Sequence, residues 1–372
     1  MPSPASSEHA PVPRPRAPGR LVTPGLVDQH CHGYGGTDFA TAGPEAVRTA
    51  LGRLAERGVT RVVASVPTMP APGMLAAVRR LTPLVRSGDL AGIHLEGPFL
   101  SPARCGAHPP ADVLVPGTAA AHDLVRSLLE AGEEGARAQG AGGTGPDGRN
   151  AITAMTYAPE LEGAAGLETA LLASGVCPSP GHTDASAAQF DEALHRLAGA
   201  PGPPAITHLF NAMAGFHHRS PGPVPGALRA AADGRLRLEL IADGRHVDPT
   251  VVRDVITLVP DAVCVVSDAS AATAAAPGRY RLGCMDLDSS PGTAPTLAAS
   301  DTLAAGAVSL DRALGLLLEW GVARDAAVRT VTTTPARGLP PGRRDSGWVV
   351  WDAPGVPADV VPPAGHPLAR DR

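Results

Sequence analysis

The chain of 372 residues is predicted to be an α/β protein built on a (β/α)8, TIM-like barrel, with a small, reduced β appendage contributed by the two termini. Three observations predict this. Eight short runs rich in Val, Ile and Leu, bounded by Gly, Pro or polar residues, read as buried strands. Helix-compatible segments separate most of them, and strand starts recur roughly every 26–35 residues, the size of one βα repeat. Five of the runs also end on a His, Glu or Asp. A doubly wound open sheet is the runner-up, but even spacing of eight units favours closure.

The expected strands are Leu26–His32, Val59–Pro67, Leu90–Glu96, Ala151–Ala158, Gly175–His182, Ala205–Phe210, Leu236–Ala242 and Ala262–Asp268. The expected helices between them are Pro44–Arg57, Gly73–Arg86, Thr118–Gln139, Leu167–Ser174, Ala185–Ala198, Pro223–Asp233 and Pro249–Val259, with Ser309–Leu318 and Ala323–Thr332 after the last strand. The one long interval contains Glu133–Asn150, a Gly-rich stretch that reads as a surface insertion. Thr273–Thr296, rich in Ala, Gly and Pro, reads as a loop able to lie over the barrel mouth. Gly347–Asp352 reads as a strand outside the barrel, with residues before Pro24 as its partner. The expected organisation is a disordered tail over 1–19, a barrel over 20–340, and the rest of the appendage and a tail over 341–372.

Composition narrows the function classes. Hydrophobic residues make up 44% and aromatics only 3%, so the core must be built from Val, Leu, Ala and Ile. A net charge of −5 with no long single-sign block gives no reason to expect nucleic acid or an anionic membrane as partner. No run of about 18 apolar residues occurs, so no spanning helix is expected. The Pro-, Ser- and Ala-rich start has no apolar core, unlike a secretory signal. Five scattered cysteines (Cys31, Cys105, Cys177, Cys264, Cys284) form no CxxC pair, which points to a reducing compartment, the cytoplasm. All 31 basic residues are Arg. Without a lysine the chain can perform no Schiff-base chemistry, carries no P-loop lysine and cannot bridge two metals through a carbamylated lysine.

The polar strand ends carry the chemistry. His30 and His32 are two apart on one strand and so face the same side, with Cys31 facing the other. Gly25, Gly33, Gly35 and Gly36 crowd that turn. Glu96 ends the third strand just before Gly97-Pro98. His182 and His208 end the fifth and sixth, and Asp268 ends the eighth. In a barrel these ends meet at one face. Carboxylates gathered there repel unless something positive neutralises them. A divalent cation with imidazole ligands does so, and a set of His and carboxylate without thiolate suits Zn²⁺ first and Fe²⁺ next. Such an ion lowers the pKa of a bound water to about 7. Asp268 is placed to take that proton and hand it to a leaving group. This is metal-assisted hydrolysis at a carbonyl or phosphoryl centre.

The motifs Pro24-Gly25-Leu26-Val27-Asp28-Gln29-His30-Cys31-His32-Gly33, His94-Leu95-Glu96-Gly97-Pro98-Phe99, Gly106-Ala107-His108, Ala158-Pro159-Glu160, Gly181-His182-Thr183, Thr207-His208-Leu209-Phe210-Asn211-Ala212-Met213, Ile241-Ala242-Asp243-Gly244-Arg245-His246 and Ser267-Asp268-Ala269 resemble, in this order, those of N-acetylglucosamine-6-phosphate deacetylases, a branch of the amidohydrolases. The resemblance runs from about Leu21 to Asp352. It implies hydrolysis of N-acetylglucosamine 6-phosphate to glucosamine 6-phosphate and acetate. It implies that Glu96, His182 and His208 hold the principal metal, and that His30 and His32 build a second site shared with Glu96 and Asp268, so that one or two ions are bound. On the substrate side it implies that His108 contacts the sugar or the acetamido carbonyl. Asn211 and the Ala212 backbone would hold phosphate oxygens, Arg219 would bind phosphate across a homodimer interface, and His246 would meet a sugar hydroxyl or phosphate. Three departures stand out: Arg219-Ser220-Pro221-Gly222 where the family has Arg-Glu-Pro-Gly, Leu297-Ala298-Ala299-Ser300 where it has Leu-Ala-Gly-Ser, and a shorter N-terminal β region. Cys105, three residues before His108, reads first as an ordinary loop cysteine, with approach to the metal or oxidation as the alternative. Two other readings compete: an amidohydrolase for another N-acetylamino sugar phosphate or a cyclic amide, and a non-catalytic sugar-phosphate-binding protein.

Overall fold

The computed structural model describes residues 21–134, 149–200, 202–353 and 355–363. The tail expected over 1–19, most of the expected insertion and the final residues lie outside them. Eight strands carry the fold: β1 (Leu26–Cys31), β2 (Val59–Pro67), β3 (Gly92–Glu96), β4 (Ile152–Tyr157), β5 (Cys177–Pro180), β6 (Ala205–Ile206), β7 (Arg237–Ile241) and β8 (Val263–Val266). They pair in chain order, all parallel, into a five-stranded sheet from β1 to β5 and a three-stranded sheet from β6 to β8. Parallel neighbours need long crossovers. The helices Pro44–Glu56, Ala71–Arg86, Ala119–Glu133, Ala164–Ala173, Ala187–Arg196, Val224–Ala232 and Pro249–Leu258 supply them in turn. Every residue of β1 and β2 is buried, as expected of strands covered on both faces.

The parallel strands are curled, and hydrogen bonds run between the two sheets. The Asp268 amide donates to the His30 carbonyl (2.9 Å) and the His32 amide to the Ala269 carbonyl (2.7 Å), beside a parallel bridge between Cys31 and Ala269. At the other seam the Thr207 amide donates to the Pro180 carbonyl (2.9 Å). Aliphatic side chains such as Leu26, Val62, Val66, Leu51 and Leu54 fill the space between strands and helices. Within the curl the residues are polar instead. Ser65 Oγ is 3.0 Å from His94 Nδ1, His94 Nε2 is 2.7 Å from Thr156 Oγ1, and Thr156 Oγ1 is 2.7 Å from Thr207 Oγ1. Burial, reinforced by His30 nearby, holds His94 well below its ordinary pKa. It is neutral and joins these hydroxyls with one donor and one acceptor nitrogen.

Three expectations are corrected. The sequence reading extended the first, fifth, sixth and eighth strands up to or past the polar residue that follows, but they stop at Cys31, Pro180, Ile206 and Val266. At three of these ends the cause is local. His182 (φ 46°), His208 (φ 27°) and Asp268 (φ 48°) adopt left-handed backbone, which leaves the extended region and re-aims the side chain. Thr273–Thr296 is not an irregular loop. It forms an antiparallel sheet of Gly278–Leu282, Met285–Ser289 and Thr296–Leu297. The alternation of Arg279, Arg281, Asp286 and Asp288 with Tyr280, Leu282 and Leu287 was its signal, and Gly283 makes the turn at φ 56°. The Gly283 amide donates to Asp38 Oδ2 (3.2 Å), which ties this sheet to the segment after β1. Finally, Trp348–Ala353 pairs with Leu21–Pro24 as expected, but a further strand, Val356–Val361, joins on its other side.

Trp351 anchors this terminal sheet. It is 1% exposed, and its Nε1 donates to Thr23 Oγ1 (2.8 Å). A Cβ at Gly58 would lie only 3.0 Å from its ring. Trp351→Ala is expected to lower stability to urea by about 3–5 kcal/mol. Trp351→Phe, which keeps most of the packing and loses the hydrogen bond, should cost about 1 kcal/mol. A loss below about 1 kcal/mol for the alanine variant would show that the sheet is not packed onto the strands it covers.

Candidate metal centre

The C-terminal ends of the strands bring four imidazoles and two carboxylates together. His30 and His32 present Nε2 atoms 3.1 Å apart, while Cys31 between them is buried facing the other way. Glu96, the last residue of β3, is shared. Its Oε1 lies 3.2 Å from His182 Nε2 and 3.0 Å from His208 Nε2, and its Oε2 lies 3.1 Å from His32 Nε2 and 3.3 Å from His108 Nε2. Asp268 Oδ1 is 3.4 Å from both His30 Nε2 and His32 Nε2. His182, His208 and Asp268 reach these positions through their left-handed backbones, as do Phe210 and Ala212 nearby. Such residues cost about 1–3 kcal/mol each and gather where function holds them.

The second ring nitrogens decide which imidazoles can bind a cation. His182 Nδ1 is 2.9 Å from the Arg104 carbonyl, which can only accept. Nδ1 therefore carries the hydrogen and Nε2 the lone pair. His30 Nδ1 lies 3.4 Å from Glu239 Oε2, with the same consequence. Both rings thus point lone pairs at carboxylate oxygens, which is unfavourable unless a positive charge sits between them. Protons supply that charge when nothing else does. Burial works against a cationic His30, but Glu96 and Asp268 outweigh it and hold the ring well above its ordinary pKa. By the same balance, with Asp268 and Glu96 against burial, His32 is pushed up to about 9. Burial also opposes ionisation of Glu96, yet His108 and His30 hold its carboxyl well below the usual range. Asp268 is lowered likewise by His30 and His32. The pocket demands cationic charge. His32 Nδ1 and His208 Nδ1 are buried without a hydrogen-bond partner, so neither faces an acceptor that would fix its tautomer.

His108 differs. The Thr68 amide donates to its Nδ1 (3.2 Å), so that lone pair is used and a neutral ring carries its hydrogen on Nε2. Burial holds the ring below its ordinary pKa, hence neutral. His108 is therefore a donor towards the centre of the site, although its distance alone would group it with Glu96 and His182 as a metal ligand. His30, His32, His182 and His208 with Glu96 and Asp268 remain, a donor set that could hold a divalent ion.

Glu96, His108, His182, His208 and Asp268 line a cavity of about 320 Å³ together with Asn211, Ala212, His246, Leu282 and Leu303, while His30 and His32 lie behind its wall. Leu282 comes from the antiparallel sheet, which therefore lies over the mouth. Asn211 Nδ2 donates to the His208 carbonyl (3.2 Å). His246 Nδ1 is 2.8 Å from Asp243 Oδ2; burial opposes its protonation, but Asp243 outweighs it and raises the pKa. Arg219, expected to act across a dimer interface, is not brought into this cavity, and Cys105 lies outside it as an ordinary loop cysteine would. Arg219 is exposed with Nη1 2.8 Å from His218 Nε2. Sequence reading missed Glu239, Asp243 and the Thr68 amide. Glu239 did leave a signal, a carboxylate in the middle of the apolar run Leu238-Glu239-Leu240-Ile241.

No family model matches the chain. It is 30% identical over 356 residues to N-acetylgalactosamine-6-phosphate deacetylase of Escherichia coli O157:H7, covering 92% of this chain and 86% of that protein. It is 30% identical over 330 residues to N-acetylglucosamine-6-phosphate deacetylase of Homo sapiens, covering 86% and 74%. Among solved structures, an aspartate-to-alanine variant of N-acetyl-D-glucosamine-6-phosphate deacetylase from Mycobacterium smegmatis, in complex with N-acetyl-D-glucosamine-6-phosphate, matches with a TM-score of 0.80 and 32% identity over 95% of this chain and 90% of that one. The strand ends that converge on Glu96 are those whose motifs suggested this kinship, and with likeness at this level along nearly its whole length the chain belongs to the N-acetylglucosamine-6-phosphate deacetylase family, hydrolases that cleave an amide bond.

Proposed function

We propose that this chain hydrolyses the acetamide of N-acetylglucosamine 6-phosphate to glucosamine 6-phosphate and acetate. The observation that carries the reading is Glu96, one carboxylate shared by two histidine sets, with Asp268 beside it in the same cavity. Glu96, His182 and His208 would hold one divalent ion, and His30 and His32 with Glu96 and Asp268 a second; Zn²⁺ suits these donors best and Fe²⁺ next. When bound, such an ion supplies a Lewis acid and brings the pKa of water down to about 7.

The chain's own residues do the rest. Asp268, kept ionised by its neighbours, takes the proton from water and returns it to the departing amine. His108 donates from Nε2 to the acetamido oxygen as negative charge grows there, with the Thr68 amide keeping the required tautomer in place. Asn211 and the Ala212 backbone bind phosphate oxygens, and His246, oriented by Asp243, meets a sugar hydroxyl or phosphate. Arg219, exposed and outside its own cavity, would complete the site of the partner in a homodimer; a planar guanidinium suits a phosphate dianion. We further infer that the eight strands close into one (β/α)8 barrel over 20–340, since hydrogen bonds cross both seams, and that the terminal sheet is the reduced appendage. The free cysteines fit a reducing cytoplasm. The E. coli relative favours a second reading, the N-acetylgalactosamine epimer, and acetate release from the two sugars side by side decides between them.

Metal analysis of the purified protein is expected to find two ions per chain. Chelation should abolish acetate release and Zn²⁺ restore it, and His30→Ala/His32→Ala should retain one ion; activity unaffected by chelation would end the metal reading. Asp268→Asn is expected to lower kcat about 10³-fold with metal content nearly unchanged. Loss of metal in that variant would make Asp268 chiefly a ligand. Arg219→Ala should raise KM for the phosphorylated sugar far more than for the unphosphorylated one, and equal effects on both would refute the phosphate role.

A further inference from the structure

At the opposite end of the strands lies a second cavity, of about 260 Å³. Its walls are the N-terminal ends of β4, β5 and β7, the approach to β6, and the segment 337–344. Arg149, Arg237, Arg337 and Arg344 line it, and among the described residues no Asp or Glu does. The space is enough for a small anion and a few waters.

Arg237 is the informative residue. It is 7% exposed and opens β7. Its Nε donates to the Pro203 carbonyl (3.1 Å) and its Nη1 to Gln29 Oε1 (2.7 Å), with Cys264 Sγ 3.8 Å away. All three partners are neutral, since burial pushes the Cys264 thiol up to about 11. The Cys177 thiol, which burial also keeps neutral, is a further side-chain partner of the guanidinium, and no carboxylate bonds Nη2 among the described residues. The nearest carboxylate along its strand, Glu239, is turned to His30. Burial works against this cation and its hydrogen bonds go only to neutral groups, with Glu239 favouring it from farther along the strand, so an anion that reached it would be held.

The mouth of the cavity repeats the pattern. The Arg337 guanidinium makes no hydrogen bond or ion pair among the described residues. Arg344 curls the segment by donating to the Leu339 carbonyl (2.9 Å) and the Arg337 carbonyl (3.2 Å). Gly338 lets that backbone sit directly on Arg237, because a Cβ there would fall 2.1 Å from Arg237 Nη1.

We propose that this cavity is a second anion site, which takes a phosphate group, free or esterified on a small molecule, between Arg237, Arg337 and Arg344. Guanidinium forks match phosphate oxygens in geometry and charge. The site is separate from the metal centre: β7 runs from Arg237 to Ile241, about 13 Å at roughly 3.3 Å per residue, before the chain reaches Asp243 and His246.

Calorimetric titration of the metal-loaded, full-length protein with inorganic phosphate, and separately with glucose 6-phosphate, tests the proposal independently of the deacetylase reading. The intact protein is expected to show a phosphate-binding class that weakens at least about tenfold in Arg337→Gln/Arg344→Gln. Acetate release without added phosphate should be unchanged in that variant. Tighter binding of the ester than of phosphate identifies a sugar phosphate as the occupant, and the reverse identifies the free ion. Binding unaltered by the double substitution overturns the site. Crystals soaked in tungstate should show an anomalous peak within hydrogen-bonding distance of Arg237 Nη2, which also serves if the double variant does not fold. A peak only at the metal-centre face overturns the proposal. So does a peak in this cavity without any calorimetric binding, which marks an adventitious ion only.

Discussion

Two lone pairs that face carboxylate oxygens are the constraint behind the whole centre. The Arg104 carbonyl fixes His182 and Glu239 fixes His30, so each ring offers an electron pair where only positive charge is welcome. Glu96 stands between them and joins the two histidine sets into one electrostatic unit. The acceptors behind the rings therefore matter as much as the rings, because they set which nitrogen is free. His108 shows the converse. A single backbone amide on its Nδ1 turns a fifth imidazole from a possible ligand into a donor.

The surrounding architecture keeps this charge where it belongs. Below the centre lie hydroxyls and the neutral His94, a polar floor, with the Glu239 carboxylate buried behind His30. Above it the antiparallel sheet contributes Leu282 to the cavity wall, tied down through Asp38. The site thus sits between a buried polar layer and an apolar cover, where electrostatic interactions are stronger than in open water.

Much of this was legible in the chain itself. Glu96 announced itself as a carboxylate closing an apolar run before Gly97-Pro98, and His30 and His32 by alternation on one strand. Eight spaced runs anticipated the order of strands and helices. What stayed hidden depends on distances the chain does not state. That Glu239 meets His30 follows from how β7 faces β1 across the curl, with more than two hundred residues between them. That His108 is a donor follows from one amide on another strand end. The hairpin at Gly283 was masked by its Ala-, Gly- and Pro-rich flanks. The strand ends were overrun because no local pattern marks His182, His208 or Asp268 as left-handed.

Those three backbones narrow which sequences can drift at this site. A β-branched residue at any of them would lose the donor atom and also resist the local fold, so two separate penalties guard one position. Asn, Asp and Gly tolerate that conformation. Relatives that have lost activity while remaining well folded should therefore carry residues from this small set at the three positions, with the chain's path outlasting its chemistry.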